Sequence, residues 1–224
     1  MKLVLFDCDG TLVDSQAMIV ASLTRAFELE GLAPPSRAQM LSIVGLSLIN
    51  AMRVLAPDET SAKQEALSEG YKASFWKYRE EEIHGETLFP GAMDVLNWLH
   101  AHPHVRLGIA TGKSRRGVDR LLAHHNLEGR FITIQTADSA PSKPDPAMIL
   151  NAMAEADIGP ESTVMIGDAT YDLDMANAAG VKSIGVSWGF MPRPALEACN
   201  PHSIINNFNE LEGVLQQIFP ELAP

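Results

Sequence analysis

Residues 1–15 are MKLVLFDCDGTLVDS, an apolar run that ends in two aspartates separated by one residue. The segment Leu3–Phe6 is typical of a buried strand. Carboxylates, in contrast, are among the side chains least often buried, and two neighbouring ones repel each other. Asp7 and Asp9 therefore either form a solvated turn where the strand reaches the surface or serve a function at this point. The rest of the chain decides between these two interpretations.

The composition limits the class of protein. With 224 residues, of which 46% are hydrophobic, the chain can bury one sizeable core or two small ones. No apolar run approaches the ~18–20 residues of a membrane helix, and the run before Asp7 is too short for a signal peptide. The two cysteines are far apart and predict no disulfide framework, so we expect a reduced, cytoplasmic setting.

The net charge of −11 bears on the partners. Nucleic acids and anionic membranes require a basic protein surface, so we expect neither as a partner. A small anionic molecule responds mainly to the local field of its site and is compatible with this charge. No motif for oligomerisation is evident, and we expect a monomer.

From about residue 88 onward, short apolar or β-branched runs alternate with segments of helical character. Such alternation predicts right-handed βαβ units around a parallel sheet, to which the first strand, Lys2–Phe6, also belongs. The further strands are predicted at Val105–Ala110, Phe131–Gln135, Thr163–Ile166, Lys182–Val186 and Ser203–Ile205. The helices between them are predicted at Gly91–His102, Arg115–Asn126, Pro146–Ala156 and Tyr171–Ala179.

Residues 16–85 interrupt this alternation with helical periodicity. Apolar residues recur at helical spacing in several stripes, and Ser36 with Gln39 resembles a capping box. The clearest stripes are Ile19, Leu23, Ala26 and Phe27, and Leu67, Tyr71, Phe75 and Tyr78. We therefore predict an α/β fold with a Rossmann-like parallel sheet and helices on both faces, formed by residues 1–15 and 86–224. A helical subdomain, residues 16–85, is inserted after the first strand.

Polar side chains follow each predicted strand. Because the carboxyl ends of parallel strands meet at one edge of an open α/β sheet, these side chains are expected to converge there. They comprise Asp7 and Asp9, then Thr111, Gly112 and Lys113, then Lys143, and finally Asp168 and Asp172. Four such groups at successive strand ends favour a functional interpretation of the opening stretch.

Several carboxylates in one crevice require a cation, since otherwise most of them would be protonated. Oxygen ligands of this kind suit Mg²⁺, which also shares the oxygens of a substrate phosphate. The remaining residues suit phosphoryl transfer, in which positioning and charge neutralisation dominate. A carboxylate can be the nucleophile, Thr111 can donate a hydrogen bond to a phosphoryl oxygen, and Lys143 can neutralise its charge.

Four segments resemble, in order, the four motifs of the haloacid dehalogenase-like hydrolase superfamily. They are FDCDGTLVDS, IATGKS, SKPDPAM and MIGDATYDLDMANAAG. The helical insertion resembles the C1 cap of that superfamily, so the likeness covers essentially the whole chain. The segments TLVDS, LFPGAMDVL, KPDP and AAGVKSIGVSWGF are most similar to its phosphoglycolate-phosphatase branch.

The resemblance implies a role for each catalytic residue. Asp7 would form an aspartyl-phosphate, and Asp9 would protonate the leaving oxygen and then activate water. Mg²⁺ would be bound by the side chains of Asp7 and Asp168 and by the backbone carbonyl of Asp9, while Asp172 would support the metal or orient Lys143.

Substrate binding is expected in three places: at the turn after the first strand, after the second strand of the core, and at a cap loop between two helices. Thr111 and Lys143 are expected to bind the phosphoryl group. The further residues expected to bind substrate are Gly10, Thr11, Gly112, Lys113, Gly45, Leu46 and Ser47.

The resemblance leaves three functions open. We expect a phosphatase acting on a small phosphorylated metabolite such as phosphoglycolate. Asp9 favours this over dehalogenation, because an alkoxide needs a proton on leaving and a halide does not. A sugar-phosphate mutase would share every one of these residues and differ only in its cap. A binding or regulatory protein on the same scaffold would usually lack one catalytic group, and none is missing here.

Overall fold

The computed structural model describes residues 1–81 and 86–223. In chain order, its strands are β1 (Lys2–Phe6), β2 (Val13–Asp14), β3 (Thr87–Leu88), β4 (Val105–Ala110), β5 (Phe131–Gln135), β6 (Thr163–Gly167), β7 (Lys182–Val186) and β8 (Ser203–Ile205). Its α-helices are α1 (Gln16–Leu29), α2 (Arg37–Ser42), α3 (Leu48–Leu55), α4 (Ser61–Glu80), α5 (Ala92–Ala101), α6 (Arg115–His124), α7 (Ala147–Ala156), α8 (Thr170–Ala179), α9 (Arg193–Ala198) and α10 (Leu211–Ile218).

Six strands form one parallel sheet in the order β5-β4-β1-β6-β7-β8. Strand β1 lies in the middle, between β4 and β6, and is covered on both faces. This explains its unbroken apolar sequence, since a strand buried on both faces need not alternate. The predicted fold class is confirmed, and each predicted helix and strand of the core agrees with the observed one to within two residues at either end.

Two apolar clusters cover the two faces of the sheet. Val4 and Phe6 of β1 point into a cluster with α5, α6 and α10, whereas Leu3 and Leu5 point into a cluster with α7 and α8. Successive strand residues face opposite sides, so a single strand anchors both layers. The carboxyl end of β1 is therefore held rigidly in the centre of the molecule.

Helices α1 to α4, which we call the cap, have an apolar core of their own. Both predicted stripes contribute to it: Ile19, Leu23, Ala26, Phe27, Leu67 and Phe75 are buried, and Tyr71 and Tyr78 pack against them. The predicted capping box is present, with Ser36 N donating to Gln39 Oε1 over 2.9 Å. The division at residues 16–85 stays a proposal, and Ile83 and residue 85, where we place its end, lie outside the described residues.

A short antiparallel ribbon joins the two connections between cap and core. Strand β2 pairs with β3 through Val13 and Leu88 and through Asp14 and Thr87. Two-residue strands have no hydrophobic periodicity, so the sequence did not predict them. The ribbon lets both crossings leave the core side by side.

No helix among the described residues is long and apolar enough to cross a membrane.

Gly108 in β4 gives a test of the packing of the sheet. A Cβ atom at this position would lie 2.5 Å from Leu5 Cδ2 and 2.6 Å from Thr133 Cγ2. We expect Gly108→Ala to lower the free energy of unfolding by ~1–3 kcal/mol, measured by urea denaturation. The control is Gly213→Ala in α10, where the added Cβ meets nothing within 4 Å and helix propensity should raise stability by ~0.5–1 kcal/mol. Equal effects of the two changes would contradict this packing.

Candidate active site

The carboxyl ends of β1, β4 and β6 place three predicted residues at one edge of the sheet. Asp7 follows β1 directly, Thr111 follows β4, and Asp168 follows β6. Backbone hydrogen bonds continue the sheet into this edge, because Asp7 N donates to Ile166 O over 3.0 Å and Thr111 N donates to Gln135 O over 3.0 Å. The backbones that carry these side chains are thus as firmly held as the strands themselves.

Lys143 lies between two buried carboxylates. Its Nζ is 2.9 Å from Asp7 Oδ1 and 2.6 Å from Asp172 Oδ1, and all three side chains are excluded from solvent. Burial alone lowers the pKa of a lysine, but here the charges of Asp172 and Asp7 outweigh it and raise the pKa of Lys143 above its usual value. Lys143 therefore keeps its positive charge next to the expected nucleophile, and its binding of the phosphoryl group stays a prediction.

Asp168 is held by two hydrogen bonds. Thr11 Oγ1 donates to its Oδ1 over 3.1 Å, and Phe190 N donates to its Oδ2 over 2.8 Å. The chain approaches so closely that a Cβ at Gly189 would lie 2.2 Å from Asp168 Cβ, and one at Gly10 would lie 2.3 Å from Asp168 Oδ2. Gly10 also has a φ of +85°, so glycine is required there for two reasons.

The carboxylates of Asp7, Asp168 and Asp172 fit a divalent cation. Each offers an oxygen, and these oxygens all lie within 4.8 Å of one another. Burial, and then the charges of Asp172 and Asp7, raise the pKa of Asp168 well above its usual value. Burial likewise raises the pKa of Asp172 to about 6. The single positive charge of Lys143 does not balance the three carboxylates, whereas an additional hard cation that prefers oxygen ligands, such as Mg²⁺, would.

Asp9 faces a different partner. Lys113 Nζ donates to both of its carboxylate oxygens, over 2.9 and 3.1 Å, and also to Glu86 Oε1 over 3.0 Å. Glu86 in turn lies 3.2 Å from Nη2 of Arg79, at the end of α4. Four alternating charges thus run from Asp9 to the cap. Binding of metal by the backbone carbonyl of Asp9 stays a prediction.

Glu86, like Arg79, is a residue of this chain of charges that the sequence did not reveal. It lies in the polar connection between cap and core, where no motif surrounds it, and it is buried. Lys113 was expected to contact substrate. Its ammonium donates to Asp9 and Glu86 and lies 5.1 Å from the centre of the Phe75 ring. Lys113 lines the cavity, and its contact with substrate stays a prediction.

The predicted cap loop lies against the core. Gly45, Leu46 and Ser47 line the same cavity as Asp7, Asp9 and Thr111. Ser47 N donates to Ser142 Oγ over 2.8 Å, and a Cβ at Gly112 would lie 2.5 Å from Gly45 O. Gly112 is therefore needed for this close approach of cap and core.

Gly10 and Thr11 lie next to the side chain of Asp168. Their backbone N–H groups donate within the turn, from Gly10 to Val13 O over 2.9 Å and from Thr11 to Cys8 O over 3.2 Å. The Thr11 hydroxyl donates its hydrogen bond to Asp168. Direct contact of either residue with substrate stays a prediction.

Comparison with known proteins finds relatives over nearly the whole chain. The model of the haloacid dehalogenase-like hydrolase family matches residues 4–186. A probable phosphatase, IndB, of Dickeya dadantii is 33% identical over 94% of this chain and 92% of its own length. A phosphoglycolate phosphatase of Pseudomonas putida is 31% identical over 94% of this chain and 78% of its own. The crystal structure of a putative haloacid dehalogenase-like hydrolase from Bacteroides fragilis, 27% identical, superposes with a TM-score of 0.86 over 94% of this chain and 99% of that one.

The charge of Asp168 is expected to destabilise the metal-free protein at neutral pH. Folding raises the pKa of Asp168, so the folded state binds this proton more tightly than the unfolded state does. The resulting stabilisation is complete below pH ~4 and is lost as the pH rises through the raised pKa. Asp168→Asn removes the charge, while its amide can still pair with Thr11 and Phe190 N. In urea denaturation with EDTA, we expect this variant to be more stable than the wild type at pH 7, with a smaller gain at pH 4.5.

The matched control is Glu155→Gln on the exposed side of α7, which should change neither value. Adding Mg²⁺ should stabilise the wild type more than Asp168→Asn, because the variant has lost an ionised ligand. A variant less stable than the wild type at pH 7 with EDTA would contradict the excess of buried negative charge.

Glu86→Ala tests the charges that link Asp9 to the cap. The change removes one of the two carboxylates that bind Lys113 and also the buried carboxylate that pairs with Arg79, so we expect the free energy of unfolding to fall by ~3 kcal/mol. Thermal and urea unfolding would measure it. Glu81→Ala, which breaks an exposed ion pair with Lys77, should change stability by less than ~0.5 kcal/mol. A similarly small loss for Glu86→Ala would mean that this chain of charges does not stabilise the fold.

Proposed function

Since the chain belongs to the haloacid dehalogenase-like hydrolase family, we propose that this enzyme is a Mg²⁺-dependent phosphatase that forms an aspartyl-phosphate on Asp7. The observation that carries the proposal is the placement of Asp7 on the floor of the cavity, 2.9 Å from Lys143 and grouped with Asp168 and Asp172. A carboxylate beside a buried cation and a metal-binding group is suited to attack phosphorus.

The first step transfers the phosphoryl group to Asp7. A carboxylate oxygen of Asp7 forms a bond to phosphorus as the bond to the alcohol oxygen breaks, and protonated Asp9 gives its proton to that oxygen. Lys143 and Thr111 balance and orient the phosphoryl oxygens. The alcohol then leaves, and Asp9 remains as a carboxylate held by Lys113.

The second step returns the enzyme to its starting state. Asp9, now a carboxylate, accepts a proton from a water molecule whose oxygen attacks phosphorus, and the bond to Asp7 breaks. The products are the alcohol and inorganic phosphate. The ion pair with Lys113 holds Asp9 in place for this role as a base.

The proposed metal site consists of the side chains of Asp7 and Asp168 and the backbone carbonyl of Asp9. Asp172 lies beside it and positions Lys143. When bound, Mg²⁺ would neutralise charge that develops on the phosphoryl oxygens.

The proposed substrate is a small phosphorylated metabolite. The name of the Pseudomonas putida relative supports phosphoglycolate as one candidate. We also propose that the enzyme is cytoplasmic and monomeric and has neither nucleic acid nor membrane as a partner, which composition and charge support.

Asp7→Asn tests the proposed nucleophile. With Mg²⁺ and a panel of phosphomonoesters, we expect it to lower phosphate release by a factor of ~10⁴ or more, because the amide cannot replace the carboxylate as nucleophile. EDTA should lower release by the wild type as well. Quenching the wild type during turnover and reducing it with borohydride should yield homoserine at position 7, the product of an acyl phosphate.

The control is Asp119→Asn on the exposed face of α6, which should keep full activity. Undiminished phosphate release by Asp7→Asn would refute the proposed nucleophile. Transfer of phosphate between positions of a sugar, without release to water, would instead identify the mutase alternative.

A further inference from the structure

The cavity above Asp7 has a volume of about 600 Å³ and is lined on the side opposite the sheet by the cap. Pockets of ~300–1,000 Å³ accommodate ligands of drug size. A phosphate group with a two-carbon acid attached would fill only a small part of this space. The remaining volume leaves room for a much larger alcohol, most of whose surface such a site would bury.

The cap side of this cavity is predominantly apolar. Helices α1, α3 and α4 and the loop before α3 supply aliphatic and aromatic side chains to it, among them Leu23, Val44, Leu46, Leu48, Ala51 and Phe75. Apolar walls favour a ligand that is removed from water by the same contacts.

Cations that line the cavity already have partners among the described residues. Lys113 binds Asp9 and Glu86, Lys72 binds Glu69 over 2.7 Å, and Arg116 lies with its guanidinium 4.6 Å from the centre of the Trp76 ring. A substrate with a second acidic group would need a cation held ready for it at the cap end. This distribution of charge favours an uncharged group there.

One wall of the cavity is aromatic. Tyr71 and Phe75, one helical turn apart on α4, have ring centres 5.7 Å apart, and the Trp76 ring stands nearly perpendicular to Phe75. Arg120 of α6 holds Trp76 from the core side, at 4.0 Å from its ring centre. Such a wall suits a flat or cyclic group, because aromatic faces pack well against rings.

From volume, lining and charge together, we propose that the preferred substrate is the phosphate monoester of an alcohol with a bulky, uncharged, largely apolar group, and that a ring in this group is favoured. Its phosphoryl group lies at Asp7, and its apolar part lies against α3 and α4. The proposal rests on the proposed phosphatase function and specifies the substrate class of the same site.

A series of primary alkyl phosphates tests this proposal with the wild-type enzyme. From ethyl to hexyl phosphate the leaving alcohols have similar acidity, so differences in kcat/KM report contacts in the cavity. We expect kcat/KM to rise about fourfold for each added methylene group. We further expect 2-phenylethyl phosphate to exceed butyl phosphate, and phosphoglycolate to fall below hexyl phosphate.

The outcomes separate this inference from the function on which it rests. Constant or falling kcat/KM along the series, or phosphoglycolate as the best substrate, overturns the inference and leaves the phosphatase intact. No phosphate release from any ester, ethyl phosphate included, overturns the proposed function itself.

Two positions on α3 give a matched pair of variants. Leu48 lines the cavity, whereas Val54 is exposed to solvent. Leu48→Gln should flatten the dependence on chain length, and Val54→Gln should leave every rate unchanged. Trp76→Ala provides a second test that spares the core of the cap, and should abolish the advantage of 2-phenylethyl phosphate. If both cavity variants keep folded circular dichroism spectra and the wild-type ranking of esters, the assigned wall is wrong.

Discussion

The site depends on the burial of more negative charge than positive charge at the end of β1. Lys143 bridges Asp7 and Asp172, and Asp168 lies beside them without a lysine partner among residues 1–81 and 86–223. Such a group is unstable without compensation, because burial disfavours each ionised carboxylate and their mutual repulsion adds to it. The surrounding chain is built to hold it: strands on both sides anchor the backbone, and glycines permit close approach. The same imbalance would favour the binding of a cation at this edge and, through that cation, of a phosphoryl group.

A second set of charges connects Asp9, the proposed acid–base residue, to the cap. Asp9, Lys113, Glu86 and Arg79 alternate in sign from the cavity floor to the end of α4. Glu86 lies beside the β2–β3 ribbon, where the chain passes between cap and core. Any movement of α4 relative to the sheet would therefore disturb the partner of Asp9. The position of the cap and the placement of the proposed acid–base residue are thus linked through side chains, and not only through exclusion of water.

The core of the fold follows from local patterns, whereas the links between its parts do not. Strand β1 and the helices of the core were predictable because apolar periodicity and the polar residues at strand ends are local signals. The Asp7, Lys143 and Asp168 grouping was predictable for the same reason, since topology alone brings strand ends together. Glu86 was not, because its role arises from its contacts with Lys113, 27 positions away, and with Arg79 of the cap. The ion pair of Lys113 with Glu86 was likewise not predictable, because it depends on the same distant contact.

The cap residues that line the cavity also hold the cap together, and this restricts how the substrate specificity of the site can change. Leu23, Ala51 and Phe75 line the cavity and also belong to the buried core of the cap. A substitution at any of them alters the packing of four helices together with the shape of the site, so it is expected to destabilise the cap. Ile49 and Trp76 line the cavity without being buried in that core. If the proposed specificity holds, changes in the preferred alcohol are expected at positions such as these two, while the proposed phosphoryl site, surrounded by buried charges, leaves little freedom for change.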